Sequence, residues 1–313
     1  MANGSLFVYP SNGLPKEVRS IDIRLSAKES DASMTRKIIG AYMDGYTLVN
    51  LKSEKTFNPS QQAAIRRISG TLYMMIIESE ASSITLEALI DEDRASVLSG
   101  VERIHLITYS MFRDTLNALK NGDKTLAESV IPLENDVDQL MFFLLRLIRS
   151  SAQNLSLGNR LGLDPLDCLE YQNLVQSIER VADHVSAMAK STVELINNGV
   201  KLATNVSECL IKAAEIAFSS YDLAVRCFLS SDVEPTNEII DSENIINNLC
   251  KELTPMPILD EYKRTTALSE VISIRESIKR ISQYASDIAE TTIDRTYKNS
   301  LNRRGLRGPT QRI

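Results

Sequence analysis

Several residue types that carry common protein chemistry are scarce in this sequence. Its 313 residues include no tryptophan, only two histidines and four cysteines, and aromatic residues make up 5% of the chain. The cysteines (Cys168, Cys209, Cys227 and Cys250) are scattered without a CxxC pair, whereas structural zinc sites need closely spaced ligands. The cysteines therefore indicate reduced thiols in a cytoplasmic protein rather than disulfides or zinc ligands.

Long apolar runs and phosphate-binding loops are also absent. The most apolar stretch, 140–148, is interrupted by Arg146, and a membrane-spanning helix needs about 20 largely apolar residues. No GxxxxGKS loop and no nucleophile–base pair is evident. The net charge of −6 argues against a general nucleic-acid binder. The sequence therefore predicts a protein that is not an enzyme and has no transmembrane segment.

The first ninety residues change character about every ten residues. Residues 20–26 (SIDIRLS) alternate apolar and polar side chains, as do 46–51 (YTLVNL), and this alternation predicts strands. Helical spacing follows in 31–43, which ends at Asp44-Gly45, and after Asn58-Pro59. Residues 73–90 predict two further strands. The expected order is β-α-β-α-β-β, a small α/β module.

From residue 93 to residue 299 the apolar residues recur at steps of three and four, which predicts long helices. Five breaks divide this segment into six expected helices of a bundle. The breaks are Asn121-Gly122-Asp123, 157–165, 197–199, 232–235 and 254–257.

The sixth expected helix repeats the third. Residues 176–190 (QSIERVADHVSAMAK) and 276–290 (ESIKRISQYASDIAE) share five of fifteen residues at a constant offset of 100, for example 278 − 178. Likewise 134–140 (ENDVDQL) pairs with 243–249 (ENIINNL). Helices one to three and four to six are therefore two copies of one unit.

Four carboxylates of the first copy are candidate metal ligands. Glu134 and Asp138 are four residues apart on the second expected helix, and Glu179 and Asp183 are four apart on the third. At 100° per residue, each pair lies about 60° and 100° from the centre of the core-facing seam. The four acids therefore lie on the flank beside the core.

Like charges at this spacing repel unless a cation neutralises them. Oxygen ligands suit iron, manganese or magnesium better than zinc. Asp136, Arg180 and His184 adjoin the cluster and are candidate outer partners of the ligands. The alternative is that the acids are ordinary solvated residues, that His184 is a surface or hinge histidine, and that Arg180 pairs with a neighbouring carboxylate.

The stretch 178–184 (IERVADH) resembles the ERIADH-like signature of the PhoU family of phosphate uptake regulators, and 284–290 (YASDIAE) resembles its second copy. The E/DxxxD motifs of that family match Glu134/Asp138 and Glu179/Asp183. The resemblance covers about residues 93–294. It implies a mainly α fold of two tandem three-helix bundles behind the small α/β domain, with metal clusters on the bundle surfaces.

The resemblance also implies negative control of phosphate import, through the cytoplasmic subunit of a phosphate transporter or a phosphate sensor, by a protein expected to be a homodimer. The expected domains are 1–13, a remnant of an AbrB-like strand; 14–92, the α/β module; 93–198 and 199–300, the two bundles; and 301–313, a basic disordered tail.

Two other functions stay open. Longer relatives begin with an AbrB-like DNA-binding domain, of which only 3–10 (NGSLFVYP) resembles the final strand. The other strands would lie before Met1, so DNA binding is doubtful, but a transcriptional regulator of phosphate genes is one alternative. The other is a carboxylate-bridged metalloenzyme, although such sites normally add Glu-x-x-His motifs.

The second copy departs from the motif. Where the first copy has four acids, the second has Glu243, Asn247, Lys279 and Gln283. Three of the four carboxylates are replaced, and Lys279 supplies a positive charge. The second bundle is therefore expected to bind no metal, with Lys279 pairing with Glu243.

Overall fold

The computed structural model describes residues 18–252, apart from 27, 91, 93 and 94, and residues 264–305, with the side chains of 268–297 in this last range. Four strands and ten helices are found there. The strands are β1 (Ser20–Leu25), β2 (Leu48–Ser53), β3 (Met74–Ser79) and β4 (Ser83–Ala88). The helices are α1 (Asp31–Met43), α2 (Pro59–Thr71), α3 (Val97–Asn121), α4 (Lys124–Val130), α5 (Leu133–Gln153), α6 (Leu155–Leu161), α7 (Pro165–Asn197), α8 (Thr204–Ser230), α9 (Thr236–Glu252) and α10 (Arg264–Gly305).

The first compact unit comprises the described residues of Met1–Val97 and of Phe142–Leu169. Its sheet has the strand order β1-β2-β4-β3, with β1 parallel to β2 and the other pairs antiparallel. The predicted order β-α-β-α-β-β is confirmed.

Local signals explain the two helices of this module. Ser30 caps α1 by accepting the backbone N–H of Ser33, and Asn58 forms a capping box with Gln61 at the start of α2. Helix α1 ends where Gly45 adopts a positive φ of 86°. The sheet and both helices bury apolar side chains that include Val49, Leu51, Ile84 and Leu86 of the strands and Ile38, Tyr42, Ile65 and Ile68 of the helices.

Arg146 is buried in the first unit, with 4% of its surface exposed. Its guanidinium donates to the carbonyl oxygens of Tyr42 and Tyr46, over 2.6 Å and 2.9 Å, and forms an ion pair with Glu92 at 3.2 Å. The residue that interrupts the apolar run is therefore an internal anchor of this unit.

The second compact unit comprises Leu98–Met141 and the described residues of Glu170–Ile313. All of its secondary-structure elements among the described residues are helices, and α8, α9 and α10 pack against one another. Its core is built largely from aliphatic and small residues of α7, α8 and α10, among them Val181, Val185, Ala189, Ala213, Ala217, Ile278, Ile281 and Ala285. Small residues on facing helices allow the close packing that such a bundle needs.

The long helices match the sequence prediction, but two short ones do not. The breaks at 121–123, 197–199 and 232–235 are confirmed. The break expected at 157–165 is confirmed at 162–164, but residues 157–161 belong to helix α6 and are wrongly included in it. Helix α5 ends at Gln153, and Asn154 caps α6 by accepting the backbone N–H groups of Ser156 and Leu157. Asp123 likewise caps the short helix α4. The segment therefore holds eight helices among the described residues instead of six.

Some predictions fall elsewhere on the chain. Residues 254–257 and the strand expected at 3–10 lie outside the described residues, as do 306–313 of the basic tail, while 301–305 belong to α10. The predicted domain boundaries at 92/93 and 198/199 stay predictions.

All four cysteines are buried and free. No helix in the described part of the chain has an apolar stretch long enough to span a bilayer.

Candidate metal centre

The four predicted acids lie on two helices of the second unit. Helix α5 begins just after Pro132, so Glu134 falls in its first turn, where the N-terminal end of a helix favours negative charge. Beside these acids, Val137 on α5 and Ala182 on α7 are fully buried. These buried neighbours confirm that the acids lie on the flanks of core-facing helices.

Three of the four acids converge. Asp138, Glu179 and Asp183 each place one carboxylate oxygen within 4.8 Å of the other two. Asp138 and Glu179 are half-buried, and Asp183 is exposed. We call these residues the three-carboxylate group. It is reachable from solvent and supplies only oxygen donors.

Glu134, the fourth predicted ligand, is held by other side chains. Its Oε2 atom accepts hydrogen bonds from the Ser186 hydroxyl, at 2.5 Å, and from the Lys190 ammonium, at 3.0 Å. Lys190 also neutralises its charge as an ion pair. Glu134 therefore lies beside the three-carboxylate group with a cation of its own, and neither of its partners was singled out from the sequence.

Burial and mutual repulsion raise the pKa values of all three carboxyls of the three-carboxylate group. Burial, followed by the charges of Asp183 and Asp138, raises the pKa of Glu179 to about 7. Burial and the charges of Asp183 and Glu134 raise the pKa of Asp138 to about 6. The pKa of Asp183, whose side chain is exposed but partly desolvated, is also raised, first by this desolvation and then by the charge of Glu134. The positive charge around the group thus falls short of compensating it, and a bound cation would supply the remainder.

Among the three predicted outer partners, Arg180 acts on the group through its charge, which partly offsets the rise in the pKa of Glu179. Asp136 is exposed. Arg180 lies over the ring of Tyr284, 5.7 Å from its centroid, and the His184 ring stacks on the same tyrosine at 5.9 Å. Burial and the charge of Arg280 lower the pKa of His184. Tyr284 is therefore the shared partner of Arg180 and His184, and its place at the crossing of α7 and α10 could not be found from spacing within one helix.

The corresponding positions of the second copy carry their own cations. Lys279 forms an ion pair with Glu276 at 3.2 Å, instead of the expected pair with Glu243. Arg280 donates to the side-chain oxygen of Gln283 over 3.0 Å. Burial and the charge of Glu243 raise the pKa of Asp287, which the charge of Arg180 partly offsets. At the position equivalent to Glu179 the second copy thus carries a cation, Lys279, that is paired within its own helix.

The three-carboxylate group fits a hard cation. Carboxylate oxygens are the ligands that magnesium, manganese and iron accept, and the raised pKa values show that the group gains from a positive charge. Lys190, a cation beside the group, is already paired with Glu134. The donor set is therefore suited to an ion from solution.

Comparison with known families explains the repeat. The family model described as PhoU domain matches residues 101–192 and again residues 210–292. The chain belongs to the PhoU family. The two matched segments coincide with the two internal copies, so each copy is one PhoU domain, and the chain carries them in tandem.

Curated relatives share most of their length with the chain. A protein of Burkholderia sp named phosphate-specific transport system accessory protein PhoU homolog is 23% identical over 218 residues, which cover 66% of this chain and 88% of that protein. A PhoU homolog 2 of the same description from Thermotoga maritima is 21% identical over 212 residues, covering 66% and 87%.

Solved PhoU structures share the fold. The phosphate transport system regulatory protein PhoU of Streptococcus pneumoniae superposes with a TM-score of 0.53 at 17% identity, over 63% of this chain and 91% of that one. PhoU of Pseudomonas aeruginosa gives 0.51 at 17% identity, over 63% and 93%. At this identity the likeness concerns the fold, which is mainly helical with tandem PhoU repeats as the sequence predicted.

Proposed function

We propose that this chain is a non-enzymatic regulator that restrains phosphate import, with a metal ion held by the three-carboxylate group. The observation that carries the proposal is the convergence of Asp138, Glu179 and Asp183 on the flank of a PhoU domain. The names of the curated relatives, accessory proteins of a phosphate-specific transport system, support the same function.

The metal has a definite place in this proposal. Asp138, Glu179 and Asp183 hold it, and Glu134, with Ser186 and Lys190, borders the site. Iron, manganese or magnesium fits these oxygen donors better than zinc. When bound, such an ion offers positive charge and open coordination positions to phosphate oxygens.

The partner is proposed to be the cytoplasmic subunit of a phosphate transporter or a phosphate sensor, which places the chain in the cytoplasm. Helices as long as α7 and α8 present extended faces to a partner, and docking interfaces use such faces. A regulator of this kind needs no nucleophile or general base.

Transport measurements test the function. Deletion of the gene should raise uptake of radiolabelled phosphate, and cellular polyphosphate, in medium rich in phosphate. The wild-type gene should restore control, whereas the double variant Glu179→Gln/Asp183→Asn should not. The matched control is Lys279→Gln/Gln283→Asn at the equivalent positions of the second copy, which should restore control as the wild type does.

The results also separate the alternatives. Unchanged uptake in the deletion strain contradicts the proposal. Metal-dependent turnover of a substrate by the purified chain would favour the metalloenzyme. Changed transcription of phosphate genes together with retarded migration of promoter DNA would favour the transcriptional regulator, whose expected strand at 3–10 lies outside the described residues.

A further inference from the structure

Strand β1 leaves one edge of the sheet of the first unit without a described partner. The strand order places β1 and β3 at the edges. Leu48 donates its N–H to the carbonyl oxygen of Arg19, and Ser20 lies opposite Leu48 in the register. Because alternate residues of a parallel strand bond to the same neighbour, Ser20, Asp22 and Arg24 direct their N–H and C=O groups away from β2. No strand among the described residues pairs with them.

A groove of about 360 Å³ runs beside this edge on the side of α1. Its walls come from β1, α1 and the start of the following loop, namely Ile21, Ile23, Lys37, Gly40, Ala41, Asp44 and Tyr46. Ile21 and Ile23 are only half-buried. A Cβ atom added at Gly40 would meet nothing within 4 Å. The groove therefore has an apolar wall and free space above a helix.

Gly40 is costly inside α1, since glycine in a helix interior destabilises by about 1 kcal/mol relative to alanine. No described atom outside the backbone of α1 lies within 4 Å of a Cβ atom added at this position. The space is therefore open to a side chain from another molecule.

The charges of β1 are complementary to a second copy of the same strand. In an antiparallel pair of β1 strands in which Ile23 faces Ile23, Asp22 of each copy lies opposite Arg24 of the other copy. In this register the outward N–H and C=O groups of the two residues face each other, which forms about four main-chain hydrogen bonds. A shift to a centre on Asp22 or on Arg24 would put like charges opposite each other, which is destabilising.

The charge of Arg24 is not neutralised by an ion pair within the described residues. Its neighbour on β2 is Lys52, which has the same charge. The Lys52 ammonium forms an ion pair with Asp22 at 2.6 Å. Edge strands are commonly protected against pairing by charges, proline or a bulge. The two charges of β1, Asp22 and Arg24, are of opposite sign, so in the register above they attract a second copy of the strand and do not repel it.

We propose that β1 is a homodimer interface at which two copies of the chain pair antiparallel about Ile23 and form one continuous sheet. Ile21 and Ile23 of each copy lie on the helix side of the sheet, so the side chains of one copy fill the groove of the other above Gly40. This interface is independent of the proposed regulatory function and of the three-carboxylate group.

Sedimentation velocity of the full chain over a concentration series tests the interface. The wild type should be a dimer, and Arg24→Asp should shift it to monomer, because Asp22 of each copy then faces the introduced carboxylate of the other. The double variant Asp22→Arg/Arg24→Asp restores opposite charges and should restore the dimer. Glu78→Arg on the other edge strand, β3, is the matched control and should leave the dimer intact.

A second variant separates dimerisation from folding. Gly40→Met extends a side chain towards the groove from a position where an added Cβ atom meets nothing within 4 Å, so its melting temperature should equal or exceed that of the wild type while the dimer is lost. Ile23→Cys should form an intermolecular disulfide on mild oxidation, since the two Ile23 positions meet at the two-fold axis, whereas Ser79→Cys on β3 should not. A monomeric wild type, or a dimer indifferent to both Arg24→Asp and Gly40→Met, overturns the proposal.

Discussion

The two PhoU domains of this chain carry opposite charges at equivalent positions of their third helix. Helix α7 carries Glu179 and Asp183 there, and they gather with Asp138 although all three pKa values are raised. Helix α10 carries Lys279 and Gln283 at the equivalent positions, and Lys279 is paired within its own helix. In the second domain the charge of Lys279 is thus neutralised by a side chain of the same helix. In the first domain the negative charge of the three-carboxylate group is only partly neutralised, and a cation from solution would neutralise it further.

The largest expected difference between the domains is in metal content. Glu179→Gln/Asp183→Asn removes two of three ligands from the first domain and should lower bound iron, manganese or magnesium by at least about tenfold. The measurement is elemental analysis of protein purified without an affinity tag. Loss of metal on replacing Glu243 and Asn247 with alanine would abolish the asymmetry, as would a wild-type chain that holds no metal.

The comparison can also be reversed by restoring acids to the second domain. Asn247→Asp/Lys279→Glu/Gln283→Asp reproduces the first domain's pattern and should add a second, weaker manganese site in isothermal titration calorimetry. The site should be weaker because Arg280 stays nearby. The single variant Asn247→Asp is the control, and unchanged stoichiometry in the triple variant would show that the acid pattern alone does not create the site.

The stability of the metal-free chain should depend on pH through the first domain. The folded-state pKa of Glu179 is about 7, above its ordinary value of 4.5, so between these values the folded chain binds more protons than the unfolded chain. The free energy of unfolding should therefore fall as the pH rises from about 5 to about 7. Urea titrations in chelator measure this slope.

Glu179→Gln should flatten that slope, because the titrating group is removed. Asp287→Asn is the comparison in the second domain, where Asp287 is the one carboxyl among the described residues with a raised pKa, and it should flatten the slope less. Equal effects of the two variants would mean that the first domain has no special imbalance.

The smallest expected effect is that of Asp183→Asn on stability in chelator at pH 8. Removing one charge from a partly exposed repelling group should leave the melting temperature unchanged or raise stability by about 0.3 kcal/mol. Differential scanning calorimetry decides the sign. A clear loss of stability would reveal a structural partner of Asp183.

Much of the fold followed from residue periodicity. The α/β module was predicted from alternation in residues 20–26 and from the cap at Asn58-Pro59, because those signals are local. The short helices α4 and α6 were missed, since each has only seven residues and so little periodicity. Arg146 looked like an interruption, because its partners Tyr42 and Tyr46 lie about a hundred residues away in sequence.

The site was predictable to a similar depth. Helical spacing placed Asp138, Glu179 and Asp183 on flanks that turned out to meet. It could not show that Ser186 and Lys190 would donate hydrogen bonds to Glu134, since these contacts depend on how α5 and α7 align along their axes. The stacking of His184 on Tyr284 also required the packing of two helices a hundred residues apart.

That stacked tyrosine offers an optical handle on the molecule. The chain has no tryptophan, so Tyr284→Trp on α10 would introduce a single indole fluorophore in contact with His184 and Arg180. These two residues lie on α7, the helix that also carries Asp183. The indole emission could be excited without the remaining tyrosines. Quenching by a nearby paramagnetic ion, or by protonation of the stacked imidazole, would then report events at the first PhoU domain in real time, with no attached dye.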